Sequence, residues 1–326
     1  MKCYNELSIE YRGASIPVLR RENMVITTVL GKIISIFIIM VVGIICYKMN
    51  IIDKYAKDKL SHLSTWIVCP MLVFMSFQME YDAELLKKML VVFGLALVSF
   101  VLSIVLANVI LKEKEGYDNA VERFGAIFTN CGFIGIPLGS AIYGNIGVIY
   151  ATMFVAAFHI FCWTYGITLL DQGKFQLKKL VNPCLVAVVL GIFFFVLQIK
   201  VPENIAYALN SLSSMNTPLA MLISGVVLAQ LDLKATLQKL IKGRLLLVVL
   251  LRGIISPAIF ALLLRFIPLD EQMRIVSAMT AACPTGAFTI TLSILYGRDD
   301  NYGTEILCTS TLLSIITIPL CMLIAS

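Results

Sequence analysis

The residues with the clearest chemical potential lie in an apolar stretch that begins with Thr129 and Asn130. Three glycines and one proline fall within the eight positions that start two residues after Asn130: Gly132, Gly135, Pro137 and Gly139. Glycine and proline are the poorest helix formers, and proline also lacks a backbone donor, so a helix is predicted to break here. In hydrocarbon, the backbone groups that a break frees are costly unless they line a cavity or a ligand site. The stretch therefore indicates either a locally repaired kink or a binding site.

The composition is that of a membrane protein. Of the 326 residues 59% are hydrophobic and 14% are charged, whereas a soluble domain carries roughly 25% charged residues. The nine cysteines form no CxxC pair and there are only two histidines, which argues against a metal cluster or a disulfide framework. The net charge of +6 belongs to the loops and is no nucleic-acid signal. We expect no cofactor, no metal site and no nucleic-acid partner.

Ten apolar runs are long enough to cross a bilayer, which predicts an all-α polytopic membrane protein with ten transmembrane helices. The runs are 26–47, 60–79, 85–111, 122–143, 146–170, 180–199, 204–230, 240–267, 273–296 and 302–325. Glycine and proline interrupt the fourth and the ninth, and the second and the seventh each hold a central proline.

Similar short patterns return in the same order in the two halves of the chain. Gly43 matches Gly191 about 148 positions later, Leu63-Ser64 with Pro70 matches Leu212-Ser213 with Pro218, and Tyr143-Gly144 matches Tyr296-Gly297. Because five spans are an odd number, two repeats of five enter the membrane with opposite orientation. Many secondary transporters are built in this way, with the substrate near the midplane at interrupted helices. We therefore predict two inverted repeats, 24–170 and 171–326, with broken crossover helices 4 and 9.

The orientation follows from the basic residues in the loops. One set of loops holds fifteen Lys and Arg residues and the opposite set holds five, or nine with the polar N-terminal tail. The richer side is predicted to face the cytoplasm, which leaves both termini outside. Residues 1–23 lack the apolar run of a signal peptide and are predicted to be a disordered extension, with Met24 as the biological start.

Side chains in the predicted spans suit an anion better than a cation. No Asp or Glu falls in the middle of a span, although proton pumps and sodium/proton antiporters place a carboxylate there. Helix N-termini exposed by the breaks offer N–H groups and a positive dipole end to an anion. Asn130, Thr129, Thr285 and Thr289 could add donors. The alternative for each threonine is backbone satisfaction or packing between helices.

Two further polar residues lie deep in apolar runs. Asn216 belongs to the most polar patch of the seventh span, just before Pro218. Arg252 is the one cation well inside a span, and intramembrane arginine is rare and usually functional. Its guanidinium could contact a substrate carboxylate, extend to the membrane surface, or brace the bundle through backbone carbonyls. No catalytic or nucleotide-binding motif is present, so we expect no enzyme, and transport driven by a gradient or running downhill.

The sequence resembles the auxin efflux carrier family of permeases, in the bacterial form. Residues 130–138 followed by 141–144 are similar to the fourth-span motif of that family. Supporting similarities lie in the second, seventh and ninth spans: 63–64 with Pro70, Phe74 and 76–77; 218–220 with Gly225; and 284–286 with 296–297. The loop Asp171–Lys179 is short, unlike the large cytoplasmic loop of plant members.

The resemblance implies a fold and a site. Broken helices 4 and 9 would cross at the midplane, with a transport domain of spans 3–5 and 8–10 moving against a scaffold of spans 1–2 and 6–7, often a dimer interface. The substrate-binding asparagine of the family corresponds to Asn130, and its crossover prolines correspond to Pro137 and Pro284. Plant members export the auxin carboxylate and bacterial members are linked to malate or malonate.

The sequence thus predicts a plasma-membrane secondary transporter of a small organic anion, a mono- or dicarboxylate, acting as an elevator-type homodimer. Coupling to H⁺ or Na⁺ stays open. The predicted substrate-binding residues are Thr129, Asn130, Gly132, Pro137, Asn216, Arg252, Pro284, Thr285 and Thr289. One alternative is a sodium-coupled symporter like the bile acid symporters, and another is a membrane sensor or scaffold that does not transport.

Overall fold

The computed structural model describes residues 31, 34, 35, 37–171, 183–230 and 243–326, and in these ranges the regular structure is helical. Two predictions lie outside the described residues: the N-terminal extension and the start at Met24. The same holds for most of the Lys and Arg residues in two of the predicted cytoplasmic loops. We number the helices in chain order: α1 Phe37–Lys48, α2 54–76, α3 Ala83–Ile110, α4 Asn119–Ile127, α5 131–143, α6 145–170, α7 Pro183–Leu197, α8 Glu203–Ala229, α9 Arg244–Leu264, α10 Glu271–Ala281, α11 Phe288–Leu295 and α12 Asp300–Ala325.

Five helical stretches in the described ranges are long and apolar enough to cross a membrane. They are Ala83–Ile110, Cys131–Leu170, Glu203–Ala229, Arg244–Leu264 and Asn301–Ala325. The prediction of a helical membrane protein is confirmed at this level. The count of ten spans and their inverted arrangement stay predictions.

Three widened π-helical turns share one local cause. The turns Ser64–Val68, Cys131–Gly135 and Leu251–Ile255 each end two residues before a proline, at Pro70, Pro137 and Pro257. A proline ring clashes with the carbonyl one turn earlier and removes one donor. A π turn inserts one residue into the hydrogen-bond ladder and so moves that carbonyl away. Pro70, Pro137 and Pro257 therefore reshape their helices without ending them.

Helices α5 and α6 are the two arms of one hairpin. The chain reverses at Gly144, whose φ of 58° and ψ of −137° leave the helical region. A Cβ placed on Gly139 would lie 2.7 Å from the carbonyl oxygen of Gly147, a distance that eight residues of continuous helix could never give. The arms therefore touch through two glycines. This hairpin brings the crossover stretch of α5 back beside α6.

Two glycine contacts relate the first two predicted spans to the sixth and seventh. Gly43 of α1 meets the backbone of Leu222 and Gly225 in α8, and Gly191 of α7 meets the ring of Phe77 at the end of α2. The separation between Gly43 and Gly191 equals that between Phe77 and Gly225, namely 148 residues. Close approaches at a glycine thus occur at equivalent positions of the two predicted repeats.

A second group of contacts joins α3, α4, α6, α9 and α12. The Ser103 hydroxyl of α3 lies 2.7 Å from the Ser256 hydroxyl of α9. Gly125 of α4 packs on Ile306 of α12. Gly166 of α6 packs on the ring of Phe124 in α4 and on the ring of Phe128, the residue that follows α4. These helices pack around the two broken segments, while α1 contacts α8, and α2 packs against α7 and α8.

Candidate functional site

The two breaks predicted from glycine and proline meet in an antiparallel pair. The Asn130 N–H donates to the Pro284 carbonyl at 2.7 Å, and the Gly286 N–H donates to the Phe128 carbonyl at 2.9 Å. Thr129 and Thr285 face each other between these bonds. Four helix ends therefore meet at one place, which we call the crossover: the C-termini of α4 and α10 and the N-termini of α5 and α11.

The two crossover threonines repair the helix ends. The Thr129 hydroxyl donates to the Thr280 carbonyl at 3.1 Å, and the Thr285 hydroxyl donates to the Gly125 carbonyl at 2.8 Å. Both side chains are buried. Each hydroxyl proton thus caps a carbonyl of the opposite half-helix. This contact corresponds to the alternative role of these threonines, in which they satisfy backbone groups. Their contact with substrate stays a prediction.

Arg252 joins the C-termini of both broken helices. Its guanidinium donates to the Ile127 carbonyl at 3.0 Å and to the Ala126 carbonyl at 3.5 Å at the end of α4, and to the Ala281 carbonyl at the end of α10. The side chain is only 2% exposed. These contacts correspond to the bracing role through backbone carbonyls. Direct contact with a substrate carboxylate stays a prediction.

The N-terminus of α5 lacks internal caps. Within the described ranges, the N–H groups of Cys131, Gly132 and Phe133 have no oxygen acceptor in the protein, and the Asn130 side chain makes no capping bond. The Cys131 sulfur, a weak acceptor, lies beside the first two of these N–H groups. A Cβ on Gly132 would meet nothing within 4 Å. Backbone donors and an adjacent space thus occur together beside Asn130, as an anion site requires.

The N-terminus of α11 is more completely satisfied by the protein itself. The Thr285 N–H donates to the Ser310 hydroxyl at 3.1 Å, and the Thr289 N–H donates to the Gly286 carbonyl at 3.0 Å. Phe288 lies three residues after Thr285, as Gly132 lies three residues after the facing Thr129. The Phe288 ring packs edge-on against Phe158 at 5.4 Å between centroids. The crossover is therefore asymmetric, with its more accessible donors on the α5 side.

Asn216 lies on the α8 face that packs against the first turn of α5. Leu219 and Ile223 form a buried cluster with Val68 against which Phe133 packs, and residues 216, 219 and 223 share one helix face. Asn216 is 2% exposed, and its side-chain nitrogen has no acceptor among the described residues. A buried amide without a partner is costly. Beside the donors at the N-terminus of α5, the Asn216 amide is thus a second polar group without a partner among the described residues.

The remaining predicted site residues lie around the crossover. Pro137 is buried two residues after the π turn of α5. Thr289 is fully buried in the first turn of α11, with its methyl group beside Gly303 of α12, and its hydroxyl has no partner within the described part. The structure thus brings Thr129, Asn130, Pro284 and Thr285 into direct contact and places Pro137 and Thr289 one or two turns away.

A buried ion pair at the other end of α4 was not predicted. Glu122 is fully buried, and both of its oxygens accept hydrogen bonds from Arg244 at 2.5 to 3.0 Å. The Tyr302 hydroxyl also donates to Glu122, at 2.8 Å. Arg244, one of the fifteen basic residues on the side predicted to be cytoplasmic, is 9% exposed and begins α9. Because Glu122 and Arg244 are 122 positions apart, no local sequence pattern indicates that they form a pair.

An open cavity of about 640 Å³ lies beside this ion pair and away from the crossover. Residues of the α3–α4 connection and of α4 line it together with Arg298. The guanidinium groups of Arg123 and Arg298 already bind the carbonyls of Leu111 and Leu170. The crossover residues Thr129, Asn130 and Thr285 are buried by comparison.

The fold and the site together define a multi-pass helical membrane protein in which two broken helices pair. A family model described as membrane transport protein matches residues 28–177 and 170–322. The chain belongs to this family, the auxin efflux carrier family that the sequence resembles. It is also similar to an uncharacterized transporter of Methanothermobacter thermautotrophicus, with 23% identity over 301 residues that cover 88% of this chain and 95% of the relative. Membership of a transport family agrees with the expectation that the chain is not an enzyme.

Proposed function

We propose that this protein is a secondary transporter of a small organic anion, a mono- or dicarboxylate, that binds at the crossover. The observation that carries the proposal is the uncapped N-terminus of α5. There the backbone donors of Cys131, Gly132 and Phe133 have no oxygen acceptor among the described residues, next to the Asn130 amide. A carboxylate supplies the acceptors and the negative charge that such a helix end favours.

The polar surroundings of the crossover support an anion over a cation. Arg252 is the charged side chain found within hydrogen-bond distance of the helix ends in the described part, and Glu122 lies at the far end of α4 with its charge bound by Arg244. A carboxylate bound beside Asn130 would therefore lie near the charge of Arg252 and away from that of Glu122. The unpartnered amide nitrogen of Asn216 offers a further donor from α8.

The mechanism that we propose is of the elevator type. The bundle around the crossover would move as the transport domain against a scaffold of α1, α2, α7 and α8. The twofold Gly43–Gly225 and Gly191–Phe77 contacts support an inverted repeat, and the interface between α5 and α8 lies between the two groups. We further propose a homodimer in the plasma membrane, with both termini outside and coupling to H⁺ or Na⁺.

Uptake of a labelled carboxylate panel into proteoliposomes tests this function. We expect saturable uptake of at least one carboxylate, with a loss of roughly tenfold or more in Asn130→Ala and in Asn216→Ala, since each loses a buried donor. Asn210→Ala is the matched control, because Asn210 lies on the same helix as Asn216 but is exposed. Uptake of cations or amines alone, or full carboxylate uptake in both site variants, would contradict the proposal.

A further inference from the structure

We propose that Arg252 sets the charge that the crossover accepts, by cancelling the negative ends of α4 and α10 so that the site takes a monoanion. The inference rests on the proposed function, because it concerns the ligand of the same site. Arg252 acts here as a positioning residue: its contacts are with the backbone and it is buried behind the helix ends.

The contacts of Arg252 are confined to helix ends. Its two terminal nitrogens reach carbonyls of residues 126 and 127 in α4 and of Ala281 in α10. Within the described residues, no carboxylate lies within the 4.0 Å of an ion pair with this guanidinium. The ionisable side chains that surround it are the buried thiols of Cys131, Cys283 and Cys321. The positive charge is therefore balanced by backbone dipoles.

The charges of the four helix ends can be added. Each helix C-terminus carries about −0.5 and each N-terminus about +0.5 of an elementary charge. The C-termini of α4 and α10 together present about −1, which the single positive charge of Arg252 matches. The N-terminus of α5 then keeps about +0.5, and the N-terminus of α11 adds at most the same again, because the protein already binds part of its N–H groups. One carboxylate completes this balance, whereas a second carboxylate on the same ligand would have to leave water without a partner.

One arginine can serve both halves because of its position. Ser103 and Ser256 are in contact at equivalent places of the two halves, 153 positions apart. Arg252 lies one helical turn before Ser256, so its guanidinium lies near the axis that relates α4 to α10. The equivalent residue of the first half is Ser99, which carries no charge. The balance therefore depends on one side chain.

The test compares succinate with monomethyl succinate, which share a carbon skeleton and differ by one charge, at a pH where every free carboxyl is ionised. Binding to purified protein is measured by calorimetry for the wild type, Arg252→Lys and Arg252→Met. We expect the wild type to bind the monoester about tenfold or more tightly than the diacid, a difference of about 1.4 kcal/mol. Arg252→Lys keeps the charge and should keep this preference. Arg252→Met should lose roughly tenfold or more in affinity for the monoester.

Each outcome has one meaning. A wild type that prefers succinate overturns the inference even if no variant folds, and so does a folded Arg252→Met that binds the monoester as tightly as the wild type. A purely structural role predicts equal losses in the lysine and methionine variants with an unchanged preference, and this result also overturns it. If the wild type binds no carboxylate in a wider panel, the proposed function fails instead.

Discussion

Helix α9 carries two buried arginines, and the difference between their partners explains how charge is distributed along α4. Arg244 lies at the start of α9 and is paired with the carboxylate of Glu122 near the beginning of α4. Arg252 lies eight residues later and binds backbone carbonyls at the end of α4 and of α10. The same half-helix is thus held at both ends by arginine, once through a full negative charge and once through dipoles.

The two arrangements have different consequences for a ligand. The Glu122–Arg244 pair is self-contained, since each charge is neutralised by the other and Tyr302 adds a further hydrogen bond. At the crossover, the positive charge cancels only the C-terminal ends, and the N-terminal ends remain for a ligand. A carboxylate in the protein would fill the place that an anionic substrate is proposed to take.

The largest expected effect comes from breaking the carboxylate-paired region. Glu122→Gln leaves Arg244 buried without a counter-charge, and removal of one partner of a buried pair costs roughly 3–5 kcal/mol. Thermal unfolding of the purified protein should show a strongly lowered midpoint. The double variant Glu122→Gln with Arg244→Gln removes both charges and should recover a large part of the loss. A single variant as stable as the wild type would contradict a tightly coupled pair.

The next effect is expected at the dipole-paired arginine. Arg252→Met leaves the carbonyls of Ile127 and Ala281 without their donor, and hydrogen bonds to charged groups contribute roughly 1.5–3 kcal/mol each. Because removing the charge also removes its desolvation cost, we expect a net loss of about 2 kcal/mol in unfolding free energy, smaller than for Glu122→Gln. A larger loss at Arg252 than at Glu122 would reverse the comparison of the two regions.

A smaller effect distinguishes the threonines of the crossover. Thr285→Val removes the 2.8 Å bond to the Gly125 carbonyl and should cost about 1 kcal/mol. Thr289→Val should leave stability unchanged or raise it, because this buried hydroxyl has no partner in the part of the chain that the structure describes. Unfolding midpoints measured side by side test both. If Thr289→Val lowers carboxylate affinity without lowering stability, Thr289 contacts the ligand as the sequence predicted.

The sequence predicts the breaks because their causes are local. Glycine and proline act on their own turn of helix, so the interruptions near Asn130 and Pro284 are visible in the residues themselves. The partners of the two arginines are not visible in this way. Glu122 looks like an ordinary residue near a span end, and the ligands of Arg252 are backbone carbonyls, which every residue carries. Such contacts depend on how α4, α9 and α10 pack, over more than a hundred positions of the chain.

The contacts that join α1 to α8 and α2 to α7 show an intermediate case. Gly43 and Gly191 were matched as a repeat from the sequence, and each does lie at a close approach between helices. The partners of the two contacts, Gly225 and Phe77, share the same separation but not the same residue type. A search for identical residues therefore finds the match of Gly43 with Gly191 but misses the match of Phe77 with Gly225. The contacts in the structure show both matches.

Asn130→Asp tests the central claim, that the helix ends at the crossover hold a ligand anion. Aspartate is a good N-cap and favours a helix N-terminus, so the unfolding midpoint should stay equal or rise. The fixed carboxylate would occupy the positive end of α5, and carboxylate uptake into proteoliposomes should fall by roughly tenfold or more, a loss of at least about 1.4 kcal/mol in binding. A stable Asn130→Asp protein that takes up carboxylates as the wild type does would contradict the account.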